Sequence, residues 1–409
     1  MKINYKIQDT FDFAIFIPMI LLLAWGLIAV YSSTVTHPTA SGNFERQLMW
    51  TIFSLFVFFL IYFLPEQTFK QLAMPTYAIS MLLLIAVLGI GRTVYGAKSW
   101  MNFGAFGFQP SEFAKIGTIM FLSYWLTRKQ KDINNPFDLG IALGIGFLPI
   151  LLILLEPDMG TAIVFAIITL TLIFWKGISL FGLFVVLSPG FVTFASVFGL
   201  PVFLIALSLV LVALILFRRD LFNSATIFVI NLSSGFFFDY IFRILKPHQQ
   251  KRIETFINPN ADPLGSGYNA LQAKVAIGSG GFWGKGFLHG NQTQLRFIPK
   301  QWTDFIYCVI GEEFGFIGSV FVLILFLIIF LRLLKLAYAA KDEFSSLMII
   351  GILAMLFSHF AINIGMNLGV TPVIGIPLPL LSYGGSSLLV NIVMLAIVMN
   401  IYKNRKLHT

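Results

Sequence analysis

Apolar runs of about 17 to 25 residues recur from one end of this chain to the other, the length a helix needs to cross the hydrocarbon of a bilayer. In lipid every backbone N–H and C=O must be paired within protein, which leaves helices and closed barrels. Runs of this length exceed a barrel strand and read as helices. Roughly twelve segments stand out: 11–31, 47–64, 73–90, 111–127, 139–155, 160–175, 179–198, 201–217, 222–242, 306–331, 345–366 and 385–402. A content of 58% hydrophobic and 11% charged residues, with mean hydropathy +0.88, agrees. The expected fold is a single all-α polytopic membrane domain over residues 1–409, with about ten to twelve transmembrane helices. The run after Lys2 and Lys6 is too long for a signal-peptide core and reads as the first span.

The net charge of +9 reports topology before it reports any nucleic-acid partner. An even number of spans puts both termini on one side. Placing that side in the cytoplasm gathers Lys70, Arg128, Lys129, Lys131, Lys176, Arg218, Arg219, Arg332, Lys335, Lys341, Lys403 and Arg405 inside. One long segment, 243–305, then lies outside despite Arg243, Lys246, Lys251, Arg252, Lys274, Lys285, Arg296 and Lys300. Long loops translocate regardless of charge. Two reasons for its basicity stand side by side: an anionic ligand at the outer surface, or contact with anionic headgroups.

Within this segment Asp262 is a lone acid among Pro, Gly and cations. Asp262-Pro263 with Gly265 and Gly267 reads as a turn, and Tyr268, Leu271 and Val275 form one stripe of a short interfacial helix. The run GSGGFWGKGF follows; its glycines, Gly280 and Gly281 among them, allow positive φ and close backbone approach to a ligand. It is not a Walker loop, because Ser279 stands at the first glycine position and no Ser or Thr follows Lys285. A flexible re-entrant loop is the plainer alternative.

A second outer segment, GRTVYGAKSWMNFGAFGFQPSEFAK, carries Trp100 and ends at a helix start, where Pro110 and Ser111 read as entry and cap. Glu112 and Lys115 fall on one helical face, as an ion pair that orders the loop or as part of a polar cavity. The spacing Ser-x-x-x-Lys is one residue too long for a penicillin-binding nucleophile. Asp304, Glu312 and Glu313 open the tenth apolar segment, and NLGVTPVIGIPLPLLSYGGSS is too rich in Pro and Gly to be a regular helix. Broken backbone at membrane depth requires protein or a wet cavity beside it, so a polar cleft open to the outer leaflet is expected. The five histidines are too scattered for a zinc site.

Over GAKSWMNFGAFGFQPSEFAK, EPDMGTA, NPNADPLGSGYN, QAKVAIGSGGFWGKG, LHGNQTQLRFIPKQWTDFIYCVIGEEFG and NIGMNLGVTPVIGIPLPLLSYGGSS the chain resembles the SEDS family of integral membrane glycosyltransferases. These polymerise peptidoglycan, and the wording is closer to the cell-elongation branch than to the division branch. Two departures stand out: region 179–242 holds one or two more apolar segments than the family pattern, and Trp302 stands where relatives often carry His.

The resemblance implies a substrate, lipid II, whose disaccharide is joined to the next glycan with inversion while undecaprenyl pyrophosphate leaves. It implies Asp262 as the base for the acceptor hydroxyl. Lys274 and Lys285 are expected at the pyrophosphate, which needs no protonation if cations meet its charge. Glu112 and Lys115 would line the cavity, and Trp100, Ser279, Gly280, Gly281, Asp304 and Glu313 would complete the substrate groove. No cofactor is required by the sequence and no metal cage is visible, though carboxylates near a pyrophosphate can hold magnesium through waters. The implied partners are membrane lipids and a class B penicillin-binding protein, a transpeptidase; the implied location is the bacterial cytoplasmic membrane. A lipid-linked precursor flippase, or a non-catalytic scaffold of a cell-wall synthase, is the competing class. A transporter would place its charges near the midplane in paired repeats, whereas here the acids cluster at the outer edge.

Overall fold

The computed structural model describes residues 10–94, 97–103, 106–128, 132–196, 198–217, 221–244, 250 and 266–405. Asp262, Lys246, Lys251 and Arg252 lie outside the described residues. The helices are α1 (Phe13–Thr34), α2 (Asn43–Phe63), α3 (Gln67–Ile90), α4 (Pro110–Leu126), α5 (Pro136–Leu155), α6 (Met159–Trp175), α7 (Leu180–Ser196), α8 (Leu200–Phe217), α9 (Leu221–Ile244), α10 (Ser266–Ser279), α11 (Asn291–Gln294), α12 (Ile306–Tyr338), α13 (Glu343–Leu368) and α14 (Gly385–Asn404). Each of the twelve apolar segments is a helix, most within four residues of the expected bounds; α3 begins six residues earlier and α12 ends seven later, and among the described residues eight are long and apolar enough to cross a membrane by themselves.

Local chemistry sets the ends. Asp12 caps α1 by accepting from Ala14 N at 3.0 Å, and its other oxygen takes Arg332 Nε at 2.6 Å, tying the start of α1 to the end of α12. Asn135 caps α5 ahead of Pro136 at the first helical position, Asp158 caps α6, and Gly369 ends α13 in the left-handed conformation. Pro110 does open α4, but Ser111 is not its cap: Gln109 holds that position, and the Ser111 hydroxyl is buried without a hydrogen-bond partner.

The alternation of the chain puts the α2–α3, α4–α5, α6–α7 and α12–α13 turns on one face together with both ends of the described chain. The ion pairs Lys70–Asp342 and Lys176–Glu343 join those turns. This is the face carrying the cations, hence the inner one. On the outer face the segment between α3 and α4 forms what the all-helical expectation lacked, a small antiparallel sheet of β1 (Arg92–Val94), β2 (Ala97–Phe103) and β3 (Phe106–Phe108). Beyond the hydrocarbon, water can satisfy a sheet's edges. Lys98 on β2 reaches back to the last carbonyls of α3, Leu88 O at 2.7 Å and Gly89 O at 2.8 Å, where a cation also meets the helix dipole.

The main core is built from α1, α4, α6, α12, α13 and α14, with α14 the most enclosed span. Helices α7 to α9 carry a core cluster of their own, around Val192, Phe203, Val210 and Leu214.

Candidate active site

The outer half of α12 organises this end of the molecule. Gly315 interrupts the helix with φ +63°, and the unwound turn is filled by the glycine run after α10. Lys285 N donates to Glu312 O at 3.0 Å and Gly286 N to Glu313 O at 3.0 Å, while Phe316 N and Ile317 N donate to Gly281 O and Phe282 O at 2.9 and 3.3 Å. The loop thus replaces the ladder bonds that the kink removes. Two chains can approach this closely only without side chains: a Cβ on Gly280 would strike Gly311 O, and one on Gly284 would strike Glu313 O.

Glu312 locks the same junction. It is fully buried and accepts from Gln292 N (2.8 Å), Thr293 N (2.9 Å), Thr293 Oγ1 (2.8 Å) and Lys285 Nζ (3.0 Å). Glu313, its buried neighbour, is held by Ser32 Oγ and Gln294 Nε2. Four donors on one carboxylate satisfy most of its lone pairs, which is what a buried charge needs.

The segment between α13 and α14 is irregular, as its prolines require, and its backbone is satisfied by side chains. Gln47 donates to Ser382 O (3.1 Å) and accepts from Gly384 N (3.1 Å); Ser382 Oγ accepts from Leu378 N (2.8 Å) and donates to Thr303 O (2.6 Å). From α13, Asn363 donates to Asp304 O (2.9 Å) and Ile376 O (2.7 Å), and Asn367 to Asp304 O (3.1 Å). The broken segment is thus sewn to the start of α12.

One helical turn deeper than this segment sits a buried polar trio. Lys115, with no exposed surface, donates to Glu112 Oε1 at 2.7 Å and lies 2.9 Å from His359 Nε2. The other ring nitrogen, Nδ1, faces Pro377 O at 3.3 Å. A carbonyl only accepts, so Nδ1 carries the hydrogen and Nε2 is left to accept from the ammonium. The trio ties α4 to α13 and to the broken segment; Glu112 Oε2 has no hydrogen-bond partner.

The expected groove residues divide into two groups. Lys274 is exposed on α10 and lies over Gly369, where a Cβ would collide with its side chain; Asp304 is half-buried, and its carboxylate would stand 3.5 Å from a Cβ on Gly375. Both therefore border the broken segment. Ser279 and Gly281 are exposed at and after the end of α10, with Ser279 Oγ donating to Ala276 O at 2.9 Å. Lys285, by contrast, is occupied by Glu312, Glu313 is buried, Gly280 is packed on Gly311, and Glu112 and Lys115 are enclosed. Trp100 is half-buried on β2. Trp302 packs edge-to-face on His37, ring centroids 4.8 Å apart. Helix α10 buries Ala273 and Ala276 and exposes Leu271 and Val275; Phe282 and Trp283 are exposed too, consistent with a headgroup-level position. Sequence reading passed over His359, Asn363 and Asn367, whose four-residue spacing in an apolar helix marks one polar stripe.

The arrangement, a bundle of apolar helices whose broken outer ends carry charge beside the segment 266–305, is that of an integral membrane enzyme or transporter working at the outer surface. The chain belongs to the FtsW/RodA/SpoVE family: the family model, described as "Cell cycle protein", matches residues 13–206 and 182–407. It is 34% identical to peptidoglycan glycosyltransferase RodA of Treponema pallidum (strain Nichols), covering 96% of this chain and 97% of that one. It is also 34% identical to peptidoglycan glycosyltransferase MrdB of Escherichia coli (strain K12), covering 95% and 94%. Among solved structures it resembles the rod shape determining protein RodA of Thermus thermophilus, at 25% identity, TM-score 0.65 and coverage of 97% and 98%. A chain from a structure titled "Structural coordination of polymerization and crosslinking by a peptidoglycan synthase complex" matches at 27% identity, TM-score 0.72 and the same coverage. This is a multi-pass protein of the bacterial cytoplasmic membrane.

Proposed function

We propose that this chain is a peptidoglycan glycosyltransferase that polymerises lipid II for cell elongation, with Asp262 as the base. The near-full-length similarity to the named polymerases carries the reading. In the proposed step the acceptor sugar's 4-hydroxyl gives its proton to Asp262 as its oxygen bonds the donor's anomeric carbon from the opposite face. The bond from that carbon to the pyrophosphate breaks, and the pyrophosphate leaves on its lipid with the electron pair.

Lys274 fits the leaving group best. It is exposed, borders the broken segment, and has no ion-pair partner among the described residues, so its charge is available to the developing phosphate anion. Lys285 acts one step back, holding the glycine loop through Glu312. Asp304 faces the same segment, where a carboxylate suits the hydroxyls of a sugar. The trio of Glu112, Lys115 and His359 fixes the floor beneath.

No cluster of acids and histidines able to cage a metal is present among the described residues. A magnesium contribution, held through waters by carboxylates near the pyrophosphate, is tested by chelation during turnover. The crosslinking partner is proposed to be a class B penicillin-binding protein, by analogy with the synthase complex above; co-purification of the pair tests that. The activity itself is tested with purified protein and labelled lipid II in detergent. Glycan polymer is expected, whereas a flippase or a scaffold yields none.

A further inference from the structure

On the inner face, far from the site above, a cavity of about 260 Å³ opens between the ends of α12 and α14 and the start of α13. Its walls include Arg332, Lys335, Lys341 and Arg405, with Glu66 as the acid among them. Arg332 spends part of its charge on Asp12 at 2.6 Å. Arg332 and Arg405 also share the ring of Tyr402, at 5.6 and 3.3 Å from its centroid, so two like charges are held together on one aromatic.

Among the described residues, the acids nearest this cluster are engaged with other groups. Asp342 and Glu343, next in sequence after Lys341, pair with Lys70 and Lys176, and Glu66 accepts from Ser345. Among the described residues, even with Asp12 counted, four cations face two carboxylates, and neither Lys335 nor Lys341 has a salt-bridge partner. A concave site with surplus positive charge calls for an anion.

Depth identifies its source. From the Gly315 kink to its inner end α12 runs 23 residues, about 35 Å at 1.5 Å each, against a hydrocarbon thickness of about 30 Å. Exposed Leu331 still faces lipid, and the cations begin at the next residue, with exposed Tyr338 beyond. That places the cavity at the level of the inner headgroups, where basic pockets between spans take phospholipid phosphates. We propose that this cavity is a binding site for the phosphate of an anionic inner-leaflet phospholipid, unconnected with the substrate groove.

The test is native mass spectrometry of the full-length protein in non-ionic detergent, titrated with phosphatidylglycerol, with phosphatidylethanolamine, or with inorganic phosphate. The wild-type protein should hold phosphatidylglycerol in preference to phosphatidylethanolamine. The double variant K335Q/K341Q should bind it about 30-fold more weakly, some fivefold per lysine removed at the membrane surface. K335R/K341R should restore binding, and R128Q, elsewhere on the same face, should leave it unchanged. Should K335Q/K341Q melt early, the Arg pair and the lipid preference of the wild type still decide. Equal retention of both lipids by the wild type, undiminished binding by K335Q/K341Q, or inorganic phosphate binding as well as phosphatidylglycerol would each overturn the proposal.

Discussion

Replacing Glu312 by Gln is the sharpest probe of how the outer segment is held. The carboxylate takes four donors, Gln292 N, Thr293 N, Thr293 Oγ1 and Lys285 Nζ, between 2.8 and 3.0 Å. A glutamine amide of the same shape keeps one oxygen and turns its NH2 toward two of those donors. Hydrogen bonds to a charged group contribute about 1.5–3 kcal/mol each, and buried donors left unpaired cost about 1–3 kcal/mol. Losing two bonds and stranding Lys285, which is one-quarter exposed and partly rehydrates, gives a local cost of about 3 kcal/mol. With 1.4 kcal/mol per factor of ten, amides 292 and 293 should exchange hydrogen on the order of 100-fold faster. Hydrogen–deuterium exchange on a peptide spanning 288–296 reads this directly and does not require reversible unfolding of the whole protein. Exchange at the wild-type rate would show that Glu312 does not anchor the loop.

Four further outcomes follow from the same geometry. Gly284→Ala places a Cβ on Glu313 O at a residue with φ +82°; it should detach the glycine loop from the α12 kink and abolish polymerisation, with α12 itself still folded by circular dichroism. Lys115→Met leaves Glu112 charged and alone and should cost about 3–5 kcal/mol in detergent melts, most of it recovered by adding Glu112→Gln. Glu156, in the turn after α5, has both oxygens buried without hydrogen bonds, and burial, then the nearby Asp158 charge, pushes its pKa up to about 8. The folded state thus keeps a proton that the unfolded chain has released, so the melting temperature should fall as pH rises from about 4.5 to about 8. That slope should flatten in Glu156→Gln. The fourth outcome concerns Lys274→Gln, which should slow polymerisation while leaving the melting temperature within a degree or two, as expected of an exposed side chain.

The spans were legible in the sequence because lipid leaves the chain no alternative to helix: hydropathy and length alone place α1, α6 and α13 within three residues. The break between α13 and α14 was legible for the same reason, since Pro372, Pro377 and Pro379 cannot donate to a ladder. The sheet of β1 to β3 was not, because beyond the hydrocarbon a Gly- and aromatic-rich stretch is no longer forced into one form. Nor could spacing reveal which charges are spent. Lys285 and Lys274 look alike along the chain, yet one is paired with a glutamate 27 residues away and the other has no ion-pair partner among the described residues. The buried trio needed three dimensions, His359 lying 244 residues from Lys115.

Asp262→Ala tests the central claim most directly, assayed as glycan polymer formed from labelled lipid II by purified protein beside the wild type. The expected result is polymer from the wild type and none from the variant, with matching melting curves. Polymer from the variant at a comparable rate would contradict the assignment of the base.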